Sequence, residues 1–240
     1  MRTKELQIGC SSFQNSLWKN VFYPEKLPRS KWFSYYCEHF KTYELNGTFY
    51  KFPTAESFKK WHDSSPDDFI FSVKAPKIIT HIRKFENCGN ELAEFYAACK
   101  DGLRAKLGCV LFQFPPGFNY TKERLDNLIS GLNLDYENVV EFRNETWWRN
   151  EVYDAFTENH IIFCNVSYPK LPEILVATTE TLYFRLHGIP KLFYSEYEQN
   201  ELNDLHQKII QNPCAEAFVY FNNTADVGGI KNTVYFKTLE

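Results

Sequence analysis

The feature that most constrains this chain is an alternation. Eight short segments rich in β-branched and aromatic residues read as strands: 6–10, 42–46, 69–74, 108–114, 139–143, 161–165, 181–187 and 218–222. Each is bounded by polar or turn-forming residues. Between them, stretches at 31–40, 92–103, 122–132, 152–159 and 198–210 repeat apolar residues at helical spacing, as with Trp32, Tyr35, Tyr36 and Phe40 in the first. Spread over 240 residues, the pattern allots about 30 residues to each unit, the size of one βα repeat. It predicts an α/β protein: a single closed (β/α)8 TIM-type barrel domain covering residues 1–240, because an open sheet of eight strands leaves two edges to protect. The doubly wound alternative lacks its phosphate-binding glycines, since the chain has 10 Gly and neither GxGxxG nor GxxxxGK[ST].

Composition removes further classes. Hydrophobic residues at 44% with 18% aromatics suit a folded domain with a ring-filled interior. The 27 Lys and Arg against 30 Asp and Glu give a net charge of −3, so nucleic acid is only a weakly supported partner. No apolar run reaches the roughly 18 residues of a membrane span. Met1 to Glu5 leads straight into the first strand without the apolar core of an export signal, and a cytoplasmic location is expected. The seven cysteines at 10, 37, 88, 99, 109, 164 and 214 show no CxxC spacing. Cys10, Cys37, Cys109 and Cys164 lie within apolar runs, which predicts reduced thiols and no metal–thiolate cluster.

The ends of the strands carry the chemistry. Side chains two apart share a strand face. That places Glu44 with Asn46, Ser72 with Lys74, Glu141 with Arg143 and Arg185 with His187, while Gln113, Asn165 and Asn222 end their own strands. A single polar strand end is ordinarily the start of a solvated loop. Seven of eight strands ending this way, at the one mouth where a parallel barrel gathers its C-terminal ends, predict a pocket lined by Glu44, Lys74, Glu141, Arg143, Arg185, His187 and Asn222.

Several chemistries fit these residue types. An inward lysine such as Lys74 is costly to desolvate and serves as base, Schiff-base nucleophile or anion clamp, unless Glu44 or Glu141 neutralises it. His187 beside Arg185 suits general acid–base work, and His81 stands in a loop with Lys77, Arg83 and Lys84. Glu44 and Glu141 form a candidate glycosidase pair, with Trp147, Tyr50 and Phe49 as sugar-stacking walls. Against that, Lys74, Arg143 and Arg185 at the same mouth favour an anionic ligand, a phosphate, carboxylate or nucleotide, and oppose a bound metal ion. Ser11 and Ser12 lack a G-x-S-x-G elbow, and Pro115-Pro116 reads as a brace for Gln113.

The expected reading is an enzyme acting on a small anionic substrate by acid–base chemistry. Lys74, His187 and Glu141 are its expected catalytic groups. Glu44, Asn46, Tyr50, His81, Gln113, Arg143, Trp147, Arg185 and Asn222 are its expected ligand contacts. A non-catalytic binder of an anionic ligand or nucleic-acid end, and a glycoside hydrolase, are the alternatives. No cofactor and no oligomeric state follow from the sequence.

These strand ends also carry a resemblance. Glu44-Leu45-Asn46-Gly47-Thr48-Phe49-Tyr50 resembles the E-I-N-x-T-F-Y signature of the YecE-like family, UPF0759-type proteins with domain of unknown function 72. Trp18 with Phe22-Tyr23-Pro24 resembles its W-x-x-x-F-Y-P, and Phe71-Ser72-Val73-Lys74 with Thr80-His81 its F-x-x-K…T-H. Gln113-Phe114-Pro115-Pro116, Glu141-Phe142-Arg143 with Trp147, Arg185-Leu186-His187-Gly188 and Phe221-Asn222-Asn223 resemble Q-x-P-P, E-F-R-x-x-x-W, R-x-H-G and F-N-N. The resemblance covers nearly the whole chain and implies a TIM-type barrel, with no established activity. The chain departs from the family pattern at Ser12, Phe13, Asn20 and Asn165.

Overall fold

The computed structural model describes residues 4–240; residues 1–3, at the start of the N-terminal reading above, lie outside it. The strands are β1 (Glu5–Cys10), β2 (Thr42–Leu45), β3 (Ile70–Lys74), β4 (Leu107–Gln113), β5 (Asn138–Glu141), β6 (Ile162–Ser167), β7 (Thr181–Leu186) and β8 (Glu216–Phe221). The α-helices are α1 (Trp32–His39), α2 (Ala55–Ser64), α3 (Gly89–Leu103), α4 (Lys122–Gly131), α5 (Asn150–Glu158), α6 (Gln199–Gln211) and α7 (Gly228–Lys237). One sheet holds all eight strands in the order β1-β8-β7-β6-β5-β4-β3-β2, the (β/α)8 TIM-type barrel that the alternation predicts. The last strand pairs with the first, from Glu5 opposite Glu216 to Cys10 opposite Phe221.

Two helices escape the periodicity. In α2 only Phe58 is buried, so the apolar stripe is one residue wide. Helix α7 opens on Gly228-Gly229, poor helix formers that are there for packing: a Cβ on Gly229 would stand 2.7 Å from the Asn223 carbonyl oxygen. Among the described residues no α-helix joins β6 to β7; the connection is irregular.

The chain divides into two compact units, residues 4–44, 165–175 and 180–240 in one and residues 45–164 and 176–179 in the other. In the first, β1 and β2 are the end strands of the sheet order, and Tyr36 bridges them. Its buried hydroxyl accepts from the Cys10 N–H at 2.8 Å and donates to the Thr42 carbonyl at 3.0 Å. Gly9 permits this closeness, since a Cβ there would fall 2.4 Å from the same Thr42 oxygen. A cavity of about 240 Å³ lies against α6, walled by Val166 of β6, Phe184 and Leu186 of β7, and Leu202 and Leu205 of the helix.

In the second unit, β3, β4 and β5 pair in parallel. Thr54 and Ser57 cap the N-terminus of α2 reciprocally. The buried Lys106 ammonium closes its other end, donating to the carbonyls of His62 and Ser65 at 2.7 and 2.9 Å. Helices α2 and α3 touch at Gly102, where a Cβ would lie 2.4 Å from that of Phe58. All seven cysteines are unbridged, six of them buried and Cys37 partly exposed.

Candidate functional site

In the first unit the strand ends assemble a buried polar group. Glu44, the third residue of β2, is wholly buried. Its carboxylate accepts from Arg185 Nε at 2.9 Å and from a terminal guanidinium nitrogen at 2.7 Å, the two-pronged geometry of an arginine–carboxylate pair. Tyr183 donates its hydroxyl to the same carboxylate at 2.8 Å, and Asn222 its amide at 3.4 Å. Tyr183 and Arg185 stand two apart on β7 and so share a face. His187, also buried, follows that strand with its ring edge-on to Tyr168 and Phe193. Gly188 turns the chain at φ +80°, and its N–H donates to the Tyr197 hydroxyl.

In the second unit a different group forms at the ends of β3, β4 and β5. Lys74 ends β3, and its ammonium donates to Gln113 Oε1 at 2.8 Å while lying 4.3 Å from the centre of the Phe49 ring. An acceptor oxygen and a π face are the partners that an ammonium ion takes. Gln113 is held for this by its own amide, which donates to the Phe114 carbonyl at 2.6 Å. It stands opposite Glu141 in the β4–β5 register. Glu141 is fully buried and accepts from Arg143 Nε. The Thr48 hydroxyl ties the turn after β2 to β3, donating to the Lys74 carbonyl at 2.5 Å.

His81 joins this group through a short π-helical turn, Ile78–Ile82, closed by the Arg83 N–H on the Ile78 carbonyl. Its ring lies 4.8 Å from that of Phe49, centre to centre, and Thr80 Oγ1 sits 2.9 Å from its Nδ1. Burial, and then the positive charges of Lys74 and Arg143, push the His81 imidazole down to about 4, with Glu141 opposing. At neutral pH it is an uncharged base beside two cations.

Of the residues expected at the mouth, Glu44 is hydrogen-bonded to Arg185 and Asn222 in the first unit. In the second, Lys74 is bonded to Gln113 and Arg143 to Glu141, with His81 within the field of Lys74, Arg143 and Glu141. Asn46 and Tyr50 flank the 3-10 turn after β2, with Tyr50 78% exposed. Trp147 is a correction. It is wholly enclosed, its ring stacked 3.9 Å from Phe142 and 5.4 Å from Phe118 and its Nε1 donating to the Phe118 carbonyl, so the ring and its polar edge are taken up by packing. Glu44 and Glu141 are each engaged by an arginine. Tyr183 is the residue that sequence reasoning missed; the same period-two rule that selected Arg185 points to it. Among the described residues no three His, Cys, Asp or Glu side chains are grouped to hold a metal ion, and no helix is long and apolar enough to cross a membrane.

Comparison with known proteins places this geometry. The family model described as "Protein of unknown function DUF72" matches residues 7–239. The UPF0759 protein YunF of Bacillus subtilis (strain 168) is 30% identical, over 85% of this chain and 84% of that protein. A crystal structure of a DUF72 family protein from Thermotoga maritima MSB8 superposes with a TM-score of 0.89 at 29% identity, covering 98% of each chain. A second, from Enterococcus faecalis V583, gives 0.80 at 20% identity over 100% of this chain and 98% of that one, a likeness of fold. From its first strand to its last helix, the chain belongs to the DUF72 family of proteins of unknown function.

Proposed function

We propose that this protein acts on a small anionic substrate, phosphate- or carboxylate-bearing, by proton transfer at the ends of β3, β4 and β5. One observation carries the reading: three consecutive strand ends bring Lys74, Gln113 and the Glu141–Arg143 pair together with His81 inside one compact unit. Lys74, Arg143 and Glu141 sum to one positive charge while His81 is neutral, which suits an anion. Lys74 and Arg143 hold the anionic group, and Glu141 orients Arg143. His81, fixed through Nδ1 by Thr80, presents Nε2 as general base. This departs from the expectation for His187, whose ring lies between two aromatic side chains.

Calorimetric titration with inorganic phosphate tests the clamp. Lys74→Met should weaken binding about 10- to 100-fold, the loss of one charge-assisted hydrogen bond; equal affinities would remove Lys74 from the site. Turnover tests the base, in a screen of phosphorylated and carboxylated small molecules. His81→Gln should keep binding and lose turnover at least 100-fold. Full turnover by that variant would exclude His81, and binding without turnover of any compound by the wild type would favour the non-catalytic binder.

A further inference from the structure

The ring system around Lys74 narrows the class of anion. Phe49 is a hub: the Lys74 ammonium lies 4.3 Å from its centre, the His81 ring 4.8 Å and the Tyr50 ring 5.1 Å, the last at 88° to it. Tyr50 is 78% exposed, the most exposed large apolar side chain among the described residues, while Phe49 beside it is partly covered. A tyrosine ring held edge-on by a neighbour and open to solvent has the geometry of a stacking platform. The chain around it is cationic. Residues 45–55 and 74–85 contain Lys51, Lys74, Lys77, Arg83 and Lys84 and no Asp or Glu. Arg83 is engaged by Glu91 at 2.7 Å. Ile82, 61% exposed on the same π-helical turn as His81, adds a second open apolar side chain.

We propose that the group at the ends of β3–β5 takes a phosphate monoester carrying an aromatic ring, a nucleoside monophosphate being the simplest, with the phosphate at Lys74 and the ring stacked on Tyr50. The inference rests on the anion site proposed above and adds the second half of the ligand. Both anchoring points lie within 5.1 Å of one ring centre, so a single sugar is spacer enough between phosphate and base. A planar guest also explains why an exposed aromatic belongs here: every base offers a π face, and stacking asks for no hydrogen-bond pattern. The same chemistry occurs in a free nucleotide and at the phosphorylated end of a strand; the free nucleotide is the commitment, because the chain as a whole is acidic at −3.

The test compares inorganic phosphate, ribose 5-phosphate, adenosine 5′-monophosphate and a 5′-phosphorylated trinucleotide by calorimetry, with the wild type, Tyr50→Ala and Tyr50→Phe. Tyr50 is exposed, so neither variant threatens the fold. Wild type should bind the nucleotide about 5- to 100-fold more tightly than ribose 5-phosphate, the range of one base stacked on one aromatic ring. Tyr50→Ala should erase that ratio and leave ribose 5-phosphate unchanged, and Tyr50→Phe should retain it. Equal affinities for nucleotide and sugar phosphate in the wild type, or a ratio untouched by Tyr50→Ala, would overturn the inference while leaving the anion site standing. No binding of any phosphate would overturn both. A trinucleotide bound at least 10-fold more tightly than the mononucleotide would overturn the commitment to a free nucleotide in favour of a strand end.

Discussion

Replacing Arg185 by Met separates structural from ligand-binding work at the end of β7. The guanidinium makes two charge-assisted bonds to Glu44, at 2.9 and 2.7 Å, and the two side chains are 2% and 0% exposed. Methionine keeps the stem and leaves a buried carboxylate without its arginine, with Tyr183 and Asn222 among its remaining donors. Breaking one partner out of a buried pair costs about 3–5 kcal/mol, much of it the desolvated charge left behind. Against a total stability of about 5–15 kcal/mol this is a large fraction, and for a chain of this length it corresponds to a fall in Tm of roughly 6–20 °C. Urea unfolding at pH 7 gives the measurement. Adding Glu44→Gln removes the stranded charge, so the double variant should be less destabilised than the sum of the two single variants by about 1–3 kcal/mol. An Arg185→Met protein within 1 kcal/mol of wild type, or strict additivity in the cycle, would refute the reasoning.

Tyr36→Phe removes the hydroxyl between the Cys10 N–H and the Thr42 carbonyl, so it should cost about 1–3 kcal/mol in urea unfolding; a neutral result would show that β1 and β2 do not depend on it. Trp147→Ala empties a stacked, fully buried site and should cost about 3–5 kcal/mol, whereas a ligand-wall residue would lose binding and little stability. The folded-state His81 value of about 4 lies below the ordinary 6.5, so the unfolded chain takes up the proton first as pH falls. The stability that neutral His81 permits is complete above about 6.5 and is lost on descending towards 4. His81→Gln should therefore gain in Tm relative to wild type at pH 4.5 compared with pH 7.5, and an unchanged difference would contradict the shift. With a thiol reagent under native conditions Cys37 should react first, and all seven cysteines should react after unfolding without reductant.

How much of this was legible beforehand depended on the range of the interaction. Period-two alternation is local, and it picked out Glu44, Lys74, Glu141 and Arg185 from the strand ends. It did not say that Glu44 pairs with Arg185, 141 residues away. Only strand order and register decide that, and they are properties of the sheet. Trp147 shows the same limit from the apolar side. An aromatic residue just past a strand end is equally consistent with a pocket wall and with a plug. The deciding neighbour, Phe118, is 29 residues upstream in the loop after β4. Helix α2 went unseen because burying one residue, Phe58, leaves too thin a stripe to read.

His81 was hardest to read, for a physical reason. In the sequence it is one histidine among loop lysines and arginines, without alternation or helical spacing to give it a direction. Its position comes from a π-helical turn five residues long, a conformation with no propensity signature and rarely stable by itself. The turn persists because its surroundings fix it: Ile79 and Thr80 are buried, and the N–H groups of Arg83 and Phe85 close back on Ile78 and Ile79. That irregularity sets an imidazole beside Phe49 within the field of Lys74 and Arg143, where burial and charge keep it neutral. Regular strands supply the fixed cations here, and the irregular turn supplies the group able to accept a proton. A variant that regularises the turn, such as deletion of Ile82, should keep phosphate binding at Lys74 and lose the proton-transfer step. If turnover survived that deletion, the base would have to be sought on the strands themselves.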